Sequence, residues 1–418
     1  MAAVPAAASA TSLWVAHAPT AKGSGKSCTS PGYNTIQAAI TADTTGAKIE
    51  VCTGTYVEQL QITKGLSIVA AGSVTVQLPA TPADSTTECD KASLKGLEEH
   101  EYGNQPNQDL VAICGAGTIT ITGLTFEGNW PAGTCDDSLY GILVGGGADL
   151  KLTDSTISGA GADPINGCQG GVGIQIGMAW TNPVEIGTAT LTNDTISGYQ
   201  KNGITVDGAG SKATITSTTV TGAGETPQIA QNGIQVSNGA QAKITESTIS
   251  GNEYNPDYEA TGVLFYGAAA GSSITKSIID NNDFGVYYLD GSPPPQPTSS
   301  QLTISSNKLT DDRYASVGLD QGWATVNDDE LEGGKVGILV YQYAEQLYGP
   351  KGIGSGDTIR GMSEWAVQGS SDENSADHPG SFSIVKSAIS GNPLGASVSN
   401  SVTSNSKSLS ITTASSDT

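Results

Sequence analysis

The chain has 418 residues, of which 18 are basic and 41 acidic, giving a net charge of −23. That balance argues against nucleic acid and against an anionic membrane surface as partner, since both are held by clustered cations. No apolar run reaches membrane-spanning length, and glycine, at 54 residues, punctuates short extended segments throughout.

The first segment, "MAAVPAAASATS", carries neither a basic n-region nor an apolar h-region, so residues 1–32 read as an extension whose start is a mature N-terminus with an added Met after signal removal. Next, "YNTIQAAITADTTG" from Tyr33 has Ile36, Ala39 and Ile40 on one face of a short helix. All six cysteines, Cys28, Cys52, Cys89, Cys114, Cys135 and Cys168, precede residue 169, and none forms a C-x-x-C pair. In sequence order they suggest Cys28–Cys52, Cys89–Cys114 and Cys135–Cys168, one of about fifteen possible pairings. Disulfides imply an oxidising compartment, and the protein is expected to be secreted.

From Phe126 onward the phrase "S-T-I-S-G-N" recurs ten times, its apolar position falling at Phe126, Ile157, Ile196, Val220, Ile249, Ile279, Leu309, Leu331, Ile359 and Ile389. The spacings are 31, 39, 24, 29, 30, 30, 22, 28 and 30 residues, a period that marks a solenoid. Each unit holds short period-2 stretches such as "ATITST" from Ala213 and "GIQV" from Gly233, separated by Gly, Asn and Ser turns. That is room for three strands, one fewer than a propeller blade needs. The expected fold is all-β: a right-handed parallel β-helix in which inward Ile and Val stack rung upon rung, plugged at its N-terminal end by the short helix. Residues 33–400 then form a single domain, followed by a Ser/Thr-rich end over 401–418.

The segment "KIEVCTGTYVEQLQITKGLSIVAAG" resembles the opening rungs of the pectate lyase and pectin methylesterase superfamily of right-handed β-helix proteins, with Gly54, Tyr56 and Glu58 matching its "G-x-Y-x-E" phrase. The resemblance implies the scaffold. The catalytic phrases of pectin methylesterases, "V-D-F-I-F-G" and "L-G-R-P-W", are absent, and the polygalacturonase set is missing apart from "NDD" at Asn327 to Asp329. Polyuronate lyases need cationic groups or calcium to neutralise the substrate carboxylate, together with a base. Here only Arg313 and Arg360 supply guanidinium groups and only His17, His100 and His378 supply imidazoles. A lyase therefore requires calcium held by aspartates, whereas a hydrolase requires no cofactor, and no cluster suggests zinc.

Nine of the fourteen tyrosines lie between Tyr254 and Tyr348, beside Phe265, Phe284 and Trp323. Sugar rings pack their C–H faces on aromatic rings and offer hydroxyls to carboxylates and amides, so this region is the expected glycan cleft. Asp290 and Asp320 each follow their repeat anchor by eleven residues. Equivalent positions on adjacent rungs lie about 4.8 Å apart, so the two should form an outward-facing carboxylate pair whose repulsion separates their pKa values, as acid and base roles require. A turn ladder or a calcium site would show the same spacing. Tyr266, Tyr287, Trp323 and Tyr341 are the expected ring platforms. Glu253, Asp257 and Glu259 sit in a turn seven residues longer than that of the next rung and form one wall, with the Pro-rich "GSPPPQPTSS" after Asp290 as the other. The function that fits is a secreted glycoside hydrolase or transglycosylase acting on a polysaccharide. A calcium-assisted lyase and a non-catalytic glycan-binding adhesin are the alternatives.

Overall fold

The computed structural model describes residues 12–17, 25–44, 46–84, 107–128, 130, 138–181, 183–290, 299–342, 350–371, 380–391, 396–400 and 409–413. Within them the chain winds as a right-handed parallel β-helix. A sheet of twelve parallel strands runs from Leu60–Ile62 to Ala396–Asn400. A second sheet of 23 strands wraps the rest of each turn. Pairing extends beyond the 33–400 limits read from the sequence: Ser12–Val15 pairs with Lys48–Val57, and Leu409–Thr413 pairs with Gly380–Val385.

The ten repeat anchors form one inward column. Phe126 pairs with Ile157, Ile157 with Ile196, Ile196 with Val220, Val220 with Ile249, and the register continues through Ile279, Leu309, Leu331 and Ile359 to Ile389. Val76 and Tyr56 extend it toward the N-terminus. Further columns, such as Ile215, Ile244, Ile274 and Ile304, complete the core. Stacking like on like at the strand spacing lets each branched side chain pack on the ones above and below it.

The recurring glycine before each aliphatic residue has a steric cause. A Cβ at Gly233 would stand 2.5 Å from Ile249 Cγ2 and 2.6 Å from the Gly262 carbonyl oxygen, and Gly203 is equally tight against Val220 and Gly233. The backbone of the twelve-stranded sheet thus passes directly over the anchor column at Gly203 and Gly233, while farther along the rod the small side chains of Ser316 and Ala366 are accommodated at the equivalent position.

Two buried polar ladders line the corners. In one, Asn252 Nδ2 donates to Asn282 Oδ1 (2.9 Å) and Asn282 Nδ2 to Asp312 Oδ1 (3.0 Å). In the other, the N–H groups of Ser277, Asn307, Asp329 and Asp357 donate in turn to side-chain oxygens of Asn307, Asp329, Asp357 and Ser387. These side chains satisfy corner amides that the sheets leave unpaired. Burial pushes the Asp329 carboxyl up to about 7 and that of Asp357 to about 6, and Asp312 well above the usual carboxylate range.

At the N-terminal end the helix Ile36–Ala42 buries Ile36, Ala39 and Ile40 against the first rungs. Thr35 caps it by accepting from Ala38 N, and the Glu58 carboxylate accepts from Ile36 N (2.8 Å) and Gln37 N (3.0 Å). Tyr56 fills the core and donates its hydroxyl to Cys52 O. Cys28 is disulfide-bonded to Cys52. Cys114 and Cys168 are disulfide-bonded as well, while Cys89 and Cys135 lie outside the described residues. Among the described residues no helix is long and apolar enough to cross a membrane.

Candidate functional site

The outer face of the twelve-stranded sheet changes character along the rod. Around the inward Ile204 and Val206 and their register partners, three columns face outward; the first, three residues before the second, shares its face, as the hydrogen bond from Asn202 Nδ2 to Thr205 Oγ1 (3.0 Å) shows. The first reads Asn202, Asn232, Thr261, Phe284, Ala315, Val336 and Trp365; the second Thr205, Gln235, Leu264, Tyr287, Gly318, Leu339 and Gln368; the third Asp207, Ser237, Tyr266, Leu289, Asp320 and Tyr341. Polar groups give way to rings and aliphatics at Phe284.

There Phe284, Ala315, Val336 and Leu339 form an apolar cluster separate from the interior core, with Tyr287, Tyr314, Tyr341 and Trp365 packed against it. Tyr258 stacks on Tyr314 (centroids 5.3 Å apart), Tyr314 meets Phe284 edge-on (5.2 Å), and Phe284 meets Tyr287 in the same way (4.9 Å). The Tyr287 hydroxyl then donates to Asp320 Oδ2 at 2.8 Å. A ribbon of four rings thus crosses the sheet and ends on a carboxylate.

Arg313 fastens the near edge of this ribbon. Its Nη1 reaches Glu225 Oε2 (3.0 Å) and Glu253 Oε2 (3.4 Å), its Nη2 donates to Tyr254 O (3.2 Å), and its guanidinium lies 5.1 Å from the Tyr258 ring centroid. Lys335 Nζ approaches the same ring to 4.3 Å. Asp283 Oδ1 lies 3.3 Å from Arg313 Nε, and its Oδ2 accepts from Tyr254 N and Ala260 N. Burial still pushes the Asp283 carboxyl up to about 6, outweighing those N–H groups and the Arg313 charge, which pull it down. Glu259 acts electrostatically on Lys201, whose ammonium is lowered mainly by burial.

The expected carboxylate pair requires correction. Asp320 is paired with Leu289, not with Asp290. The corner between Asp312 and Ala315 holds one more residue than that between Asn282 and Phe284, so the sheet register gains one on the anchor register. A one-residue shift exchanges the two faces of a strand, and Asp290 falls opposite Gln321, whose carbonyl accepts from its N–H. Its Cβ lies 2.5 Å from the place a Cβ on Gly322 would occupy. Both aspartates are nearly fully buried, at 2% and 1% exposure, rather than open in a groove.

Of the other expected residues, Tyr287 and Tyr341 join the ring cluster, and Tyr266 stands 47% exposed in the Asp320 column. Trp323 begins the strand past the Asp320 corner, with Lys351 Nζ 5.5 Å from its ring centroid. Glu253 is committed to Arg313, while Asp257 and Glu259 are exposed in the long turn at the opposite edge. The segment 291–298 of the expected Pro-rich wall lies outside the described residues. Tyr258, Arg313, Tyr314 and Lys335 were not assigned to the site from the sequence, and Phe284 was named only as one of the aromatics of the region. The pairing of one of only two arginines with "DRY" beside the tyrosine-rich span was the available signal. Among the described residues no group of three or more His, Cys, Asp or Glu side chains gathers to hold a metal ion.

The family described as the right handed beta helix region matches residues 172–348. No curated protein sequence matches the chain. Among solved structures, the catalytic domain of a GH87 alpha-1,3-glucanase variant in complex with tetrasaccharides aligns with a TM-score of 0.60 at 12% identity, over 92% of this chain and 67% of that one. A mutant of the periplasmic alginate epimerase AlgG aligns at 0.53 and 11%, over 92% and 84%. The Azotobacter vinelandii mannuronan C-5 epimerase AlgE4 A-module aligns at 0.50 and 12%, over 90% and 94%. At these identities the likeness is one of fold.

Proposed function

We propose that the chain is a carbohydrate-active enzyme, a glycoside hydrolase or transglycosylase, that binds a polysaccharide on the outer face of the twelve-stranded sheet. The observation that carries this reading is the ribbon Tyr258, Tyr314, Phe284, Tyr287, which ends on the Asp320 carboxylate. The half-buried rings of Tyr314 and Tyr287, with buried Phe284 packed between them, offer apolar surface to sugar C–H groups, and a carboxylate at their end meets the hydroxyls or the glycosidic oxygen. The polysaccharide-acting enzymes among the structural neighbours support the same substrate class. The Cys28–Cys52 disulfide supports an oxidising compartment outside the cytoplasm.

Hydrolysis needs one carboxylic acid to protonate the departing oxygen and one carboxylate to activate water or attack the anomeric carbon. Asp320 is assigned to the second position, because the Tyr287 hydroxyl that lines the ribbon donates to its carboxylate and favours the ionised form. Asp290, brought to the same corner one residue out of register with Asp320, is assigned to the first. Tyr266, Tyr287, Trp323 and Tyr341 bind the sugar, with Glu253, Asp257 and Glu259 along the Arg313 edge. The near-complete burial of both aspartates favours a second reading, a non-catalytic glycan-binding rod.

The two separate in one experiment. Protein is incubated with neutral and acidic polysaccharides while reducing ends and the absorbance of unsaturated products are followed. New reducing ends that fall on the order of a hundredfold or more in Asp320→Asn and in Asp290→Asn support the hydrolase. A rise in absorbance overturns it in favour of elimination, and binding without any product supports the rod.

A further inference from the structure

Seven large apolar side chains among the described residues are exposed, and four of them, Trp180 (39%), Val184 (42%), Ile186 (41%) and Tyr266 (47%), lie along one edge of the rod. That edge is the corner where the twelve-stranded sheet ends, the same corner that carries Asp320. Trp180 and Val184 belong to an insertion closed by paired Met178 and Glu185, which lies within the longest anchor spacing of the chain, 39 residues. The insertion is built rather than loose. Met178 is fully buried against Tyr140, Leu143 and Val172 on the sheet's outer face, and Thr181 Oγ1 donates to Met178 O and accepts from Glu185 N.

A chain of hydrogen bonds joins this insertion to the ring cluster's edge. Ala179 N donates to Asp207 Oδ2 (2.6 Å), Asp207 Oδ1 accepts from Ser237 Oγ (2.7 Å) and Asn238 Nδ2 (2.8 Å), and Asn238 N donates to Tyr266 O (3.1 Å). Val184 lies over Gly208 and Ile186 over Gly210, so the apolar patch sits on the corner of the neighbouring rung. Beside it, Asn232 Nδ2 donates to Asn202 Oδ1, Thr261 Oγ1 to Asn232 Oδ1 and Gln235 Nε2 to Ser237 Oγ, a cross-linked polar floor. An exposed tryptophan on an insertion hydrogen-bonded at both ends, in line with an exposed tyrosine and flanked by hydrogen-bonded amides and hydroxyls, has the composition of a sugar-binding surface.

We propose that this edge is a distal part of the glycan-binding strip: a polysaccharide held on the ribbon runs on along the helix axis past Tyr266 and stacks a further ring on Trp180. This rests on the polysaccharide reading above. Two to three rungs separate Tyr266 from the Trp180 insertion, about 10–14 Å at the strand spacing, so only a chain of several sugar units reaches both. Trp180 therefore selects for chain length and leaves short oligosaccharides unaffected.

The test is titration calorimetry of the full chain with size-fractionated alginate oligosaccharides and α-1,3-glucan oligosaccharides, using wild type, Trp180→Ala, Trp180→Phe and Tyr314→Ala. The proposal expects Trp180→Ala to weaken long oligosaccharides by up to about tenfold, one ring's stacking, with short ones unchanged and Trp180→Phe largely restored. Tyr314→Ala should weaken both lengths. Tyr314→Ala losing both while Trp180→Ala loses neither overturns this inference and leaves the ribbon reading standing. No binding of any oligosaccharide by the wild type removes both. A wild-type dimer in sedimentation that Trp180→Ala abolishes assigns the patch to a second copy of the chain and overturns the proposal.

Discussion

Replacing Asp329 by Asn should stabilise the protein at neutral and alkaline pH and make little difference in acid. In the corner ladder Asp329 Oδ1 accepts from Asn307 N (2.7 Å) and Asn307 Nδ2 (2.9 Å), while its own N–H donates to Asp357 Oδ1 (3.0 Å). Burial, with Asp357 below it adding repulsion, pushes its carboxyl from the ordinary 3.8 to about 7. The folded state thus binds the proton more tightly than the unfolded chain. Its favourable contribution is complete below pH 4 and is lost as pH rises through 7. About three pKa units at roughly 1.4 kcal/mol each set a ceiling of about 4 kcal/mol on the cost of ionising it in place. Asparagine keeps the Oδ1 acceptor and can place its Nδ2 as Asn307 does one rung earlier, donating to the next ladder oxygen and to a backbone carbonyl. The expected gain is about 1–3 kcal/mol at pH 8, once some of the ceiling is set against imperfect amide geometry. Urea midpoints of both proteins at pH 4, 6 and 8 measure it. A variant less stable than wild type at pH 8, or a difference that does not grow between pH 4 and 8, refutes the reasoning.

Gly233→Ala forces a methyl into contact with Ile249 and the Gly262 carbonyl and should cost about 1–3 kcal/mol in thermal or urea unfolding; a neutral result would show that the sheet does not press on the anchor column as described. Glu58→Ala removes the acceptor of two N–H groups at the start of the capping helix, and a loss of about 1–2 kcal/mol is expected, read as faster hydrogen exchange at Ile36 and Gln37. Reducing Cys28–Cys52, which closes a sequence separation of 24 residues, should lower stability by roughly 3 kcal/mol in the chain-entropy view, with exchange rising first over Ser12–Val15. Arg313→Met leaves Glu225, Glu253 and buried Asp283 without their shared cation. A loss of about 3 kcal/mol is expected, with Tyr258 freed from Tyr314, which ring-current shifts would report.

The core was legible because its signal is periodic and one-sided. Phe126 to Ile389 recur at the rung length, and an inward position tolerates only apolar side chains, so alignment by phrase recovers the column that the strand register shows. The capping helix was legible from Ile36, Ala39 and Ile40 for the same reason. The carboxylate pair was not, because counting from the anchor assumes equal corners. One residue at Arg313–Tyr314 breaks that equality and moves Asp320 opposite Leu289. The Arg313 cluster escaped for a different reason: its partners Glu225 and Glu253 lie 88 and 60 residues away, and stacking across several rungs leaves no local pattern. Tyr287 and Tyr341 were found by aromatic density alone, which marks the region of a cluster but not the order of its rings.

The most direct measurement of the central claim is the crystal structure of the full chain soaked with an oligosaccharide that it binds. The account predicts sugar rings over Tyr314 and Tyr287, with a hydroxyl or glycosidic oxygen within hydrogen-bonding distance of Asp320 and the glycan turning at that corner to run along the helix axis. Sugar bound instead on the 23-stranded sheet, with the ribbon bare, would contradict it.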